Sequence, residues 1–109
     1  MPVPTLPPPL DAFVAAVNGG DTDAALALFA PEGEIDDWGR RFTTPKAMRA
    51  WSDREFIGAQ GYMTVTRVAR IGNQITVDAA WKSNHYSGAS RFLFTLVDGR
   101  IQQMRIVGE

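Results

Sequence analysis

Two adjacent carboxylates, Asp36 and Asp37, lie within Gly33-Glu34-Ile35-Asp36-Asp37-Trp38-Gly39. They are the side chains of this sequence best suited to moving a proton. The segment reads as a short strand, along which side chains alternate, so Gly33, Ile35 and Asp37 share one face and Glu34, Asp36 and Trp38 the other. Ile35 is the only aliphatic side chain of the segment and should face the core, which turns Asp37 inward and Asp36 outward. A carboxylate enclosed by hydrocarbon has its charged form disfavoured, and its pKa moves up toward the range useful for proton transfer. The bland alternative for Asp37 is a solvated strand-end carboxylate bonded to backbone amides.

His85, the one histidine, follows the parity of Ile75, Val77, Ala79, Trp81 and Ser83, which places it on the apolar face at the rim of any cavity. A His–Asp pair across a pocket suits dehydration or epimerisation; a half-exposed imidazole beside a hairpin is the alternative. The same parity sends Asn84 and Tyr86 outward. Trp38, Trp51, Phe56, Trp81, Phe92, Phe94 and Met104 are the candidate pocket lining, with Ser83 as a polar partner. Most aromatic residues at such spacing are core, so a minority of these should touch a ligand. Arg40-Arg41 reads as a solvated pair beside Asp36, or as a clamp for an anion.

The elements that must position these residues begin with an amphipathic helix over 10–17, where Leu10, Phe13, Val14 and Val17 share a face. Gly19-Gly20 ends it, Asp21 caps a second helix over 24–29, and Pro31 closes that one before the strand. Thr44 caps a third helix with Pro45 in its first turn, and Met48 and Trp51 share one side of it. From Tyr62 the period becomes two. Met63, Val65, Ala69 and Ile71 alternate with polar residues, Gly72-Asn73 turns the chain, and Ile75 to Trp81 form the inner row of the next strand. Ser87-Gly88 is read as a turn, a strand runs over 91–97, Asp98-Gly99 is a hairpin signal, and a last strand runs over 100–107. Helices gathered on one face of a curved antiparallel sheet give an α+β fold.

With 109 residues, one domain over 10–109 is expected behind a proline-rich tail over 1–9, in which Pro4-Thr5-Leu6-Pro7 fits the PxxP pattern. The net charge of −1 offers no footprint for nucleic acid or an anionic membrane. With no cysteine and one histidine there is no disulfide, no thiolate chemistry and no zinc spacing, and the scattered carboxylates match no calcium loop. Glycine-rich phosphate loops and nucleophile elbows are missing as well, so neither a metal nor a cofactor is expected. The N-terminus lacks the pattern of a signal peptide, and a cytoplasmic location is expected.

The order of these elements resembles the nuclear-transport-factor-2-like superfamily, in its SnoaL-like and ketosteroid-isomerase-like branch. The residues that carry the likeness are Phe13-Val14-Ala15-Ala16-Val17-Asn18-Gly19-Gly20-Asp21, Ala27-Leu28-Phe29-Ala30-Pro31, Ile35-Asp36-Asp37, Pro45-Lys46-Ala47-Met48-Arg49-Ala50-Trp51 and Val97-Asp98-Gly99-Arg100-Ile101. The resemblance implies a cone-shaped sheet around a pocket, three N-terminal helices on its concave face, and Asp37 at the position of the isomerase base. It also implies a departure. The family's oxyanion-hole Tyr aligns with Phe13, which has no donor, and its protonated Asp falls near Ser90. Steroid isomerisation by the family mechanism is therefore not expected.

Three functional readings stand side by side. One is a cofactor-free lyase, isomerase or cyclase acting on a small apolar carbonyl or hydroxyl compound, with Asp37 as base and His85 or Ser83 as partner. Another is a non-catalytic binding protein for an apolar metabolite. The third is an association domain with a vestigial pocket. Phe92, Phe94 and Leu96 on one face of a strand and Leu93 and Val97 on the other leave an apolar outer row, so a homodimer through the outer sheet face is expected.

Overall fold

Local signals in the sequence open the helices where they were expected. In the computed structural model, which describes residues 5–108, α1 spans Leu10–Asn18 and α2 spans Thr22–Leu26, with the Asp21 side chain accepting from the Ala24 amide. Helix α3 spans Pro45–Glu55; the Thr44 hydroxyl accepts from the Ala47 amide, and Pro45 occupies the first turn, where no intrahelical hydrogen bond is lost. Leu10, Phe13, Ala16 and Val17 form the buried stripe of α1, and Met48 and Trp51 that of α3. Pro4 lies outside the described residues, so the PxxP reading is only partly covered; Leu6 of the same stretch packs against the core and Pro9 is buried.

The strands are β1 (Phe29–Asp37), β2 (Arg40–Phe42), β3 (Tyr62–Ile71), β4 (Gln74–Lys82), β5 (Ser87–Val97) and β6 (Arg100–Gly108). They form one open sheet in the order β2-β1-β6-β5-β4-β3. The sheet is mixed rather than purely antiparallel, because β1 runs parallel to β6, beside which it lies after the two helices and before the meander. Among the described residues the architecture is α+β, with three helices and six strands.

Four local readings are corrected. Helix α2 ends at Leu26 and Phe29 already belongs to β1: the extended backbone that Pro31 favours at Ala30 suits a strand and not a helix running on to Phe29. Pro31 itself is carried by β1 where the register with β6 shifts, between Phe29 and Glu34, and where β2 does not reach. In β3 a register shift between Val65 and Arg67 reverses the parity. Ala69 and Ile71 therefore leave the inner row, and Ile71 is exposed. Ser87-Gly88 is not a turn; the turn spans 83–86 and β5 starts at Ser87.

The core lies between the helices and the inner rows of β4, β5 and β6. Phe13 meets Phe29 and Phe94 edge to face, and Trp51, Phe56 and Trp81 stack in a row with successive ring centroids 4.8 Å apart. Asn18 fastens α1 to β3: its amide donates to the Met63 carbonyl at 2.9 Å and accepts from the Met63 amide at 2.7 Å.

On the opposite face of β4, Asp78 is buried and accepts from the Arg91 guanidinium at 2.7 Å. The hydrogen bond from Arg91 holds the Asp78 carboxyl below the usual carboxylate range against the opposing effect of burial. A carboxyl whose folded pKa is lowered contributes stability that is complete above its unfolded value, near pH 4, and is lost as the pH falls through the folded value. Asp78→Asn should therefore cost about 1 kcal/mol at neutral pH, a modest figure because Arg91 is partly solvated. It should also flatten the loss of stability on acidification. Urea midpoints of both proteins at pH 7 and pH 3 check this.

Candidate active site

Two backbone features carry the site. Ile35 is buried at 1% exposure, and alternation turns Asp37 to the same side, as expected. Beyond Asp37, Trp38 and Gly39 form a tight hairpin to β2 in which both have positive φ, 53° and 89°, the pattern of a type I′ turn. A bulky residue is rare in that conformation. Here it leaves the Trp38 indole over Gly108 at the end of β6 and largely exposed.

Beside this hairpin is a cleft of about 160 Å³. Its apolar wall is made of Trp38, Trp51, Phe56, Trp81, Phe92 and Ile106, with Tyr86 at one side. Its polar groups are Asp37, Glu55, Ser83, His85 and Ser90.

The Asp37 side chain is only 14% exposed. Its Oδ2 accepts from the Trp51 indole N–H at 3.0 Å and from Arg40 Nη2. Among the described residues, no hydrogen bond reaches Oδ1. Arg40 is bound at the same time by both Glu55 oxygens, at 2.8 and 3.0 Å, and so ties the end of β1 to the end of α3. The hydrogen bond with Glu55 is the largest cause raising the Arg40 pKa, and it also lowers that of Glu55. This clasp stays charged at neutral pH.

On the other side, Ser83 organises the 83–86 turn. Its hydroxyl accepts from the His85 and Tyr86 amides and donates to the Tyr86 carbonyl. His85 Nε2 lies 3.0 Å from the Arg54 carbonyl oxygen. A carbonyl only accepts, so Nε2 carries the proton and a neutral His85 keeps Nδ1 as its acceptor.

The profile of the SnoaL-like domain matches residues 10–104. The chain belongs to this family. No curated protein matches it. Among solved structures, this SnoaL-like domain is similar to a protein from Sinorhizobium meliloti provisionally called a polyketide cyclase, with TM-score 0.85, 25% identity, and 94% and 95% of the two chains covered. A protein with a ketosteroid-isomerase-like fold from Catenulispora acidiphila, solved in complex with trimethylamine, superposes with TM-score 0.78 at 21% identity over 94% of this chain and 86% of that one. A nuclear-transport-factor-2-like protein of unknown function from Cytophaga hutchinsonii gives TM-score 0.77 at 17% identity, covering 92% and 86%. The last two show the fold alone.

Nine of the eleven candidate site residues read from the sequence meet at the SnoaL-like cleft: Asp37, Trp38, Trp51, Phe56, Trp81, Ser83, His85, Ser90 and Phe92. Met104 does not line it; paired with Phe94 across β5 and β6, it is wholly buried in the core. Phe94 and Phe13 are core as well. Three of the lining residues were not anticipated: Glu55, Ile106 and Tyr86. Tyr86 was expected to face outward, but the turn begins at Ser83 rather than Ser87, and strand parity no longer applies to it. Arg40 and Arg41 are not a loose solvated pair beside Asp36. Arg40 joins Asp37 and Glu55, and Arg41 binds Glu34 at 2.9 Å. Asp36 accepts from the Gly39 amide and serves the turn.

Proposed function

We propose that this SnoaL-like domain performs cofactor-free acid–base chemistry on a small, largely apolar carbonyl compound, with Asp37 taking a proton from the carbon next to the carbonyl. The observation that carries the reading is the asymmetry of the Asp37 carboxylate. Oδ2 is held by an indole N–H and a guanidinium, while Oδ1 is left without a partner in an aromatic cleft. A base held at one oxygen is oriented for transfer at the other. The Sinorhizobium relative's provisional assignment as a polyketide cyclase supports chemistry next to carbonyl groups.

Size narrows the substrate. A dry cavity of about 150 Å³ admits benzene, whereas drug-sized ligands need about 300 Å³ or more. A cleft of about 160 Å³ suits a single ring or a short chain. His85, with Nδ1 as acceptor, is the candidate to relay the proton afterwards.

The test is proton–deuterium exchange on cyclohexanone in heavy water, followed by NMR. Catalysed exchange at the carbon beside the carbonyl is expected. No acceleration over buffer, for cyclohexanone and for a β,γ-unsaturated cyclohexenone followed by absorbance, would overturn the catalytic reading.

A homodimer through the outer sheet face is proposed on a separate observation. Leu93 and Val107 are half-buried and Val97 is 43% exposed on the face of β5 and β6 away from the helices. Leu93 and Val107 flank the Asp78–Arg91 pair on this face, and no helix of the described chain packs over it. Sedimentation equilibrium at micromolar concentration should give a dimer mass; a monomer would end this idea.

A further inference from the structure

The base is only half of an enolisation. As Asp37 Oδ1 takes the proton, the C–H bond breaks and its electron pair forms the C=C bond, while the carbonyl π pair moves onto oxygen. That oxygen then needs a donor, and the residue aligned with the family's donor, Phe13, is buried in the core. The hydrogen bonds around the cleft show which donors remain. The Trp51 N–H is spent on Asp37, and Arg40 on Asp37 and Glu55. The Ser83 hydroxyl is spent within its turn, and His85 Nε2–H on the Arg54 carbonyl. Among the described residues, four side-chain donors lining the cleft remain uncommitted: the indole N–H groups of Trp38 and Trp81, the Tyr86 phenol and the Ser90 hydroxyl.

We propose that the Tyr86 phenol is the donor that receives the substrate oxygen, an inference that rests on the enolisation reading above. A phenol is far more acidic than an alcohol or an indole N–H, so of the four donors it makes the strongest hydrogen bond to a developing enolate. The position is also built for it. A Cβ at Gly88 would stand 2.7 Å from the Tyr86 oxygen and 3.0 Å from its Cζ, so the first residues of β5 leave the ring its place only because residue 88 is glycine. Tyr86 is 55% exposed, at the mouth of the cleft, where solvent can exchange protons with it. When the carbon is reprotonated by Asp37, the electron pair returns and the phenol releases the oxygen, so no co-reactant is needed.

The experiment uses the full chain and the cyclohexanone exchange assay. Tyr86→Phe should lower kcat by about 100-fold, the usual effect of removing one oxyanion donor, with KM nearly unchanged and the thermal midpoint within a few degrees. Gly88→Ala keeps the phenol but takes its space, and should lower kcat in the same way. If the wild type exchanges and Asp37→Asn does not, yet Tyr86→Phe retains the wild-type rate, the assignment of Tyr86 is overturned while the base survives. Absence of exchange by the wild type defeats the enolisation reading itself, and this assignment with it.

Discussion

Asp37→Asn is expected to slow exchange on cyclohexanone by a factor of about 10² to 10⁴, the range a positioned base contributes, and to leave the fold in place. The reason lies in which oxygen is held. An amide has one acceptor end and one donor end, and Trp51 Nε1 and Arg40 Nη2 both offer protons to the Oδ2 position. The substituted side chain would therefore turn its carbonyl toward them and put NH₂ where Oδ1 now stands, so a donor would replace the base in an otherwise unchanged cleft. The ion pair to Arg40 is lost, but the Arg40 side chain is 53% exposed and keeps Glu55. The stability cost should thus stay within about 1 kcal/mol. Exchange by NMR and a thermal melt on the same preparation check both parts. A variant that melts like the wild type, still quenches tryptophan fluorescence with cyclohexanone and no longer exchanges identifies Asp37 as the base. A variant that still exchanges removes it. A wild type that binds without exchanging favours the non-catalytic binding reading.

What the sequence made legible is what neighbouring residues decide between themselves. Thr44-Pro45 starts α3, and Asp98-Gly99 turns β5 into β6 with φ of 51° and 74°. The alternation through Ile35 separates an inward Asp37 from an outward Asp36. Each of these depends on a few consecutive residues, and each holds. Parity carried over a longer stretch failed wherever the strand was not regular. One register shift in β3 moved Ala69 and Ile71 to the wrong face. A turn built by the Ser83 hydroxyl, instead of by Ser87-Gly88, brought Tyr86 to the cleft. The Trp38-Gly39 hairpin was hidden because tryptophan is a poor signal for positive φ. The Arg40 clasp was hidden because Glu55 lies fifteen residues away on another element. The site was thus legible as a set of inward positions, whereas its hydrogen bonds, which decide what each group can still do, depend on contacts that no local pattern announces.

The aromatic wall depends on one such contact, and Gly61→Ala should damage it. Gly61 lies just before β3, and its amide donates to the Phe56 carbonyl at 3.1 Å. Its backbone is not in the left-handed region, so alanine is not barred by φ. Space is what bars it: a Cβ would fall 2.1 Å from Trp81 Cη2, 2.5 Å from Cζ2 and 2.7 Å from the Phe56 oxygen. Trp81 cannot retreat toward Phe56, since the two rings already stack at 4.8 Å and 10°. The indole must move into the cleft, or β3 must move away from it. Overpacking of this kind costs about 3 kcal/mol, a drop of about 10–20 °C in a domain of this size, and ligand binding should weaken with it. A double-mutant cycle locates the clash. In a Trp81→Leu background the indole is gone, and Gly61→Ala should cost at least about 1 kcal/mol less by urea denaturation than it does in the wild type. An equal cost in both backgrounds would put the damage at the Phe56 carbonyl and the α3–β3 connection, leaving the tryptophan wall independent of the glycine beside it.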